Sequence, residues 1–155
     1  MEAGRVWRSV ADRGTWLQLD MALDETDQPE TSPAPDGSGR EVILVLDCSG
    51  SMQGDSISQA KRALEVCLRA LEKGARFNVV RFGNTFISLF PQPREYGEQT
   101  LGEALGWMRA VDADLGGTEV LRPLQHVYGA SVPKGVSRSV LLLTDGQVGN
   151  ERNLL

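Results

Sequence analysis

The sequence predicts an α/β fold: a doubly wound, mostly parallel sheet with one antiparallel edge strand. Three observations lead there. Val42 to Leu46 is uniformly apolar, as in a strand covered on both faces. Ser139 to Thr144 repeats that pattern about a hundred residues later. Between them, stretches with helical spacing alternate with short strand-like runs, the arrangement of a parallel sheet with helices on both sides.

The elements follow in order. Val6 to Leu23 carries Trp16, Leu17, Leu19, Met21 and Leu23 in a partial period of two, which suggests one strand without an evident partner. Asp24 to Arg40 holds Pro29, Pro33, Pro35, Gly37 and Gly39 among acids and hydroxyls, the composition of a linker. The chain thus divides into an N-terminal extension (1–23), an acidic Pro/Gly linker (24–40) and a domain from Glu41 onward (41–155).

After the first buried strand, Ile57, Ala60, Leu64, Cys67, Leu68 and Leu71 recur at helical spacing over Ser56 to Lys73, with Asp55 or Ser56 as N-cap and Gly74 as stop. Arg76 to Phe82 and Thr85 to Phe90 are two strands joined by Gly83-Asn84, a pair suited to a tight hairpin, so the second runs antiparallel at the sheet edge. Thr100-Leu101-Gly102-Glu103 has capping-box form and opens a helix to Val111. A short helix from Glu119 to Tyr128 follows, with Pro123 in its first turn. Asp145-Gly146 then stands at the tip of the second buried strand.

Composition excludes several classes. With 155 residues, 41% hydrophobic and 24% charged, the chain is an ordinary globular domain. Its net charge of -5 argues against nucleic acid, which calls for a basic patch. No apolar run approaches the ~20 residues of a membrane span. Arg5 and Arg8 interrupt any signal-peptide core, so the expected location is cytoplasmic or nuclear. Cys67 lies about 16 Å along the helix that starts near Ser56, too far for a bridge to Cys48, and both are expected as free thiols. His126 is the single histidine and is expected at a partly buried surface position rather than as a catalytic base; no nucleophile elbow accompanies it.

Oxygen-bearing side chains carry the chemistry. Asp47, Ser49 and Ser51 follow the first buried strand, Thr118 ends Gly116-Gly117-Thr118, and Asp145 follows the second strand. Each motif alone is commonly a cap or a turn. Together they are oxygen ligands without thiolate or imidazole, which suits Mg²⁺, Mn²⁺ or Ca²⁺, and they fall where a doubly wound sheet gathers strand ends. Asp112-Ala113-Asp114 follows a helix and lacks the spacing of a calcium loop. Trp107 reads as packing, and Arg62, Arg69 and Lys73 as solvated helix charges. Neither usual nucleotide fingerprint is present.

The runs Val-Leu-Asp-Cys-Ser-Gly-Ser-Met, Asp-Leu-Gly-Gly-Thr-Glu and Leu-Leu-Leu-Thr-Asp-Gly resemble the von Willebrand factor A domain and its metal-ion-dependent adhesion site, over Glu41 to Leu155. Cys48 and Met52 make the chain most similar to the intracellular-type branch, which includes vault-associated poly-ADP-ribose polymerase and proteins with an inter-alpha-trypsin-inhibitor N-terminal domain. The resemblance implies that Ser49 and Ser51 hold Mg²⁺ directly, that Thr118 does so in the ligand-bound state, and that Asp47 and Asp145 act mainly through water. It implies a non-enzymatic module whose cation receives the Asp or Glu carboxylate of a protein partner. It also implies further strands after the Asp145 loop, so that the domain is incomplete at the C-terminus and Ser139 to Thr144 is an exposed edge. The rival readings are a metal-assisted hydrolase or phosphoryl-transfer enzyme with Asp47 as nucleophile, and an inert truncated fragment.

Overall fold

The structure is a computed structural model that describes the backbone pairing of residues 5–11 and 14–20 and all of residues 38–146. Its centre is strand β3 (Arg40–Asp47), in which Leu44, Val45 and Leu46 have no exposed surface. Alternation along the strand divides the core. Leu44 and Leu46 pack with Ile57, Ala60, Leu64 and Leu68 of helix α1 (Asp55–Arg69) and Ala104 and Met108 of α2 (Glu98–Ala110). Ile43 and Val45 pack on the other side with Leu124 and Val127 of α3 (Leu121–Gly129). Helices therefore cover both faces, which is why β3 reads as a continuous apolar run.

Strand β4 (Arg76–Phe82) and strand β7 (Ser137–Leu143) flank β3 and run parallel to it, with Leu44 opposite Val79 on one side and Leu141 on the other. The chain passes from β3 to β4 through α1 and then returns across β3 to β7. The direction of winding thus reverses between β3 and β7, and the crevice at their C-terminal ends is the place where such sheets bind ligands. Antiparallel strands complete the sheet at both edges. β5 (Phe86–Ser88) and β6 (Arg94–Glu95) pair with β4, and β1 (Arg5–Ala11) and β2 (Gly14–Asp20) form a hairpin whose second strand pairs with β7.

That hairpin corrects two expectations. Val6 to Leu23 holds two strands instead of one, and the partner hidden in the sequence is β7: Trp16 lies opposite Leu143 and Leu19 opposite Val140. Ser139 to Thr144 is therefore no exposed edge, because β2 occupies its free hydrogen-bonding side. The linker proposed for residues 24–40 lies mostly outside the described residues, and its last residue, Arg40, already belongs to β3.

Boundaries moved for local reasons. Helix α1 begins at Asp55 after Gly54 (φ 81°) and ends at Arg69, four residues before the expected Lys73, with Gly74 at φ 91° beyond it. Helix α2 starts two residues before Thr100, since the Thr100 Oγ accepts the Gly97 N–H at 3.0 Å and thereby closes the first turn from its third position. Three residues, Gly83 to Thr85, link β4 to β5, because Phe82 pairs with Phe86. Helix α3 spans Leu121–Gly129 instead of Glu119 to Tyr128.

The far end of β3 carries a feature that the sequence did not announce. Glu41 is 2% exposed, and its carboxylate accepts a 2.6 Å hydrogen bond from Arg138 Nε on β7. Arg76 of β4 faces the other Glu41 oxygen, with its Nε at 3.6 Å, and Arg138 also donates to the carbonyls of Val127 and Ala130, so the buried carboxylate joins β4, β3 and β7 to the end of α3. Removing Glu41 leaves both guanidinium groups without their counter-charge. Glu41→Ala is expected to lower the unfolding free energy in a urea titration by about 3–5 kcal/mol, and a Glu41→Leu/Arg138→Met double variant to recover only part of that loss, because Arg76 also loses its counter-charge.

Candidate functional site

Asp47 is the last residue of β3 and has no exposed surface. Both carboxylate oxygens are engaged: Oδ1 accepts the Ser49 N–H at 2.9 Å, and Oδ2 accepts the Thr144 hydroxyl at 2.7 Å. The first bond folds the chain back over the strand end. The second joins β3 to the tip of β7, directly before Asp145, and the Gly146 N–H donates back to the Thr144 Oγ at 3.2 Å.

The turn that Asp47 creates presents two hydroxyls. Ser49 is buried, Ser51 is exposed, and their Oγ atoms lie 3.1 Å apart. Neighbouring ligands of an octahedral Mg²⁺ at 2.0–2.1 Å stand about 3 Å from one another, so this pair has the spacing of two adjacent positions around a hard cation. Its donors are neutral oxygens, and the nearby carboxylate has both oxygens already hydrogen-bonded. A charged cage is a different arrangement, and none stands elsewhere: among the described residues no three His, Cys, Asp or Glu side chains group as metal ligands.

The Thr118 loop reaches the same place through the backbone. Gly50 N–H donates to Gly116 O at 2.7 Å, Leu115 N–H to Cys48 O at 3.0 Å, and Cys48 N–H to Phe82 O at 2.8 Å. The loops after β3, β4 and α2 are thereby stitched into one rim, with half-buried Thr118 two residues beyond the Gly116 carbonyl. All three segments that carry Asp47, Ser49, Ser51, Thr118 and Asp145 meet at the C-terminal end of the parallel strands.

Neighbouring groups serve packing. Burial pushes the Cys48 thiol from its ordinary 9.0 up to about 12, against a smaller lowering by the Arg81 guanidinium, so no thiolate forms at neutral pH. Cys67 is also a free thiol, raised by burial as well. Asp114 pairs with Arg81 at 2.9 Å and Asp112 accepts the Ala113 N–H, which assigns that acidic run to structure. Arg81 also lies over the half-buried Trp107 ring. Arg69 pairs with Glu65 on the exposed face of α1. His126 is more exposed than expected and packs against the Phe86 ring, 4.9 Å between centroids, away from the rim.

The family model for the von Willebrand factor type A domain matches residues 40–153. The chain belongs to the von Willebrand factor A family. It is 38% identical over 138 residues to a von Willebrand factor A domain-containing protein of Dictyostelium discoideum, covering 89% of this chain and 14% of that one. It is 40% identical over 130 residues to human von Willebrand factor A domain-containing protein 5A, covering 77% and 16%. The chain therefore spans about a seventh of the length of these relatives. Among solved structures, an aerotolerance-related membrane protein from Bacteroides fragilis shares the fold, with a TM-score of 0.52 and 20% identity over 63% of this chain and 50% of that one. Domains of the family often mediate protein–protein interaction, and no helix among the described residues is long and apolar enough to cross a membrane.

Two residues at the rim escaped the sequence reading. Thr144 was visible only as the residue before Asp145, yet it holds the buried carboxylate. Asn84 was visible only as a turn residue, yet it lies against the Thr118 loop. The chemical state of Cys48 gives the site its own test. Iodoacetamide at pH 8 is expected to label Cys67 in the folded protein while sparing Cys48, and to label both in urea, as read by peptide mass spectrometry.

Proposed function

We propose that this domain binds a protein partner through a divalent cation, most simply Mg²⁺, held at the rim by Ser49, Ser51 and Thr118, with Asp47 and Asp145 acting through water. The observation that carries the reading is the pair of hydroxyls 3.1 Å apart on a turn anchored by a fully buried carboxylate. When bound, the cation supplies an electrophilic centre that accepts an Asp or Glu carboxylate from the partner. The chain's own task is preorganisation. Asp47 fixes the Ser49 amide, Thr144 fixes Asp47, and the Gly50 to Gly116 hydrogen bond brings the Thr118 loop alongside.

Placement on an open rim supports a macromolecular ligand. Among the described residues, one cleft of about 490 Å³ lies between α1 and α2 and another of about 350 Å³ beside Glu41 and Arg138, both apart from the hydroxyl pair. A phosphoryl-transfer role for Asp47 is disfavoured by the same geometry, since an in-line nucleophile must touch its substrate directly and this carboxylate has no exposed surface, whereas a small water can still use the second lone pair of each oxygen.

Capture of a partner on the immobilised domain is expected to be lost in EDTA, restored by excess Mg²⁺, and weakened at least tenfold by Ser49→Ala, on the order seen for ligand-shell changes at metal sites. Capture indifferent to EDTA removes the metal bridge. Phosphatase activity abolished by Asp47→Asn would support the enzymatic rival.

A further inference from the structure

The turn after β4 does more than end a strand. Gly83 is buried, and a Cβ there would stand 2.4 Å from Leu115 Cβ and 2.5 Å from the Leu115 oxygen. The turn is docked on the Thr118 loop from both sides: Asn84 N–H donates to Leu115 O at 2.7 Å, and Glu119 N–H donates to Gly83 O at 2.9 Å. Between these two hydrogen bonds lie Gly116, Gly117 and Thr118.

The Asn84 carboxamide fills the space that side chains at the two glycines would take. A Cβ on Gly116 would stand 2.5 Å from Asn84 Nδ2, and one on Gly117 would stand 2.4 Å from Asn84 Oδ1. Gly116 needs glycine for its backbone as well, at φ 75°. Gly117 lies outside the left-handed region, so what a side chain there would meet is the carboxamide, which it would have to push out of its place over the loop. Two adjacent glycines are conformationally loose, and a loop that must present one hydroxyl needs an external constraint.

We propose that Asn84 is a positioning residue for Thr118: its carboxamide, laid over Gly116 and Gly117, sets where the Thr118 hydroxyl stands relative to Ser49 and Ser51. The consequence for the cation rests on the function proposed above. The latch itself does not. It makes the Gly-Gly pair and the exposed asparagine one unit, and it predicts that their substitutions couple.

The experiment is a double-mutant cycle in the whole chain, with Mn²⁺ alone as probe followed by electron paramagnetic resonance, and with amide hydrogen exchange at Gly50 and Glu119 as a metal-free readout. Asn84→Ala and Gly117→Ala are each expected to weaken Mn²⁺ binding about tenfold. Because Asn84→Ala removes the atoms that Gly117→Ala would strike, the double variant is expected to bind no more weakly than either single one. Exchange at Gly50 and Glu119 is expected to quicken about tenfold in Asn84→Ala, while Val45 in the core stays protected and shows that the fold holds. Strictly additive losses, or unchanged exchange at both amides, would overturn the latch. If the unaltered chain binds no Mn²⁺, the metal reading fails and the exchange rates alone decide, quickening in favour and no change against.

Discussion

A carboxylate without exposed surface stands at the end of the central strand, and the site depends on how it is satisfied. Burying an ionised group is costly unless hydrogen bonds replace its water. Asp47 meets that condition with the Ser49 amide and the Thr144 hydroxyl, one from its own loop and one from the neighbouring strand. These two bonds also bend the chain so that Ser49 and Ser51 face the rim, and they bring the end of β7, with Asp145, beside the end of β3. The same interactions that make burial tolerable therefore assemble the candidate ligand set.

The parallel arrangement of β7, β3 and β4 is the frame for that junction. Because both neighbours run parallel to β3, their C-terminal ends emerge on one side, and the reversal of winding leaves a crevice between β3 and β7. The loop before α3 then has only to dock onto loops already in place, which it does through backbone hydrogen bonds at Cys48, Gly50 and Gly83. At the opposite end, Glu41 and Arg138 form a second buried polar junction, so β3 and β7 are clamped at both extremities.

What was legible in the sequence follows from the range of the forces involved. The apolar run of β3, the helical spacing of α1 and the oxygen-rich turns are local patterns; the first two form a strand and a helix where the sequence puts them, with α1 ending earlier. The resemblance joined Asp47, Thr118 and Asp145 across about a hundred residues, which periodicity alone could not do. Pairings set by tertiary contact stayed hidden. The ends of the apolar run Ser139 to Thr144 gave no sign that residues 16–19 would pair with it, since an antiparallel neighbour needs no special residue at its partner. Thr144 and Asn84 looked like ordinary strand-end and turn residues, because their roles depend on loops far away in the chain. Glu41 looked like the boundary of a linker, and only the approach of Arg138 and Arg76 from the neighbouring strands makes it a buried ion.

The most direct measurement is isothermal titration of the chain with Mg²⁺ beside its Ser49→Ala variant. One ion per chain, bound by the unaltered protein and lost or strongly weakened in the variant, is the expected result. No binding by the unaltered chain, or binding indifferent to Ser49→Ala, would contradict a cation held by the hydroxyls at this rim.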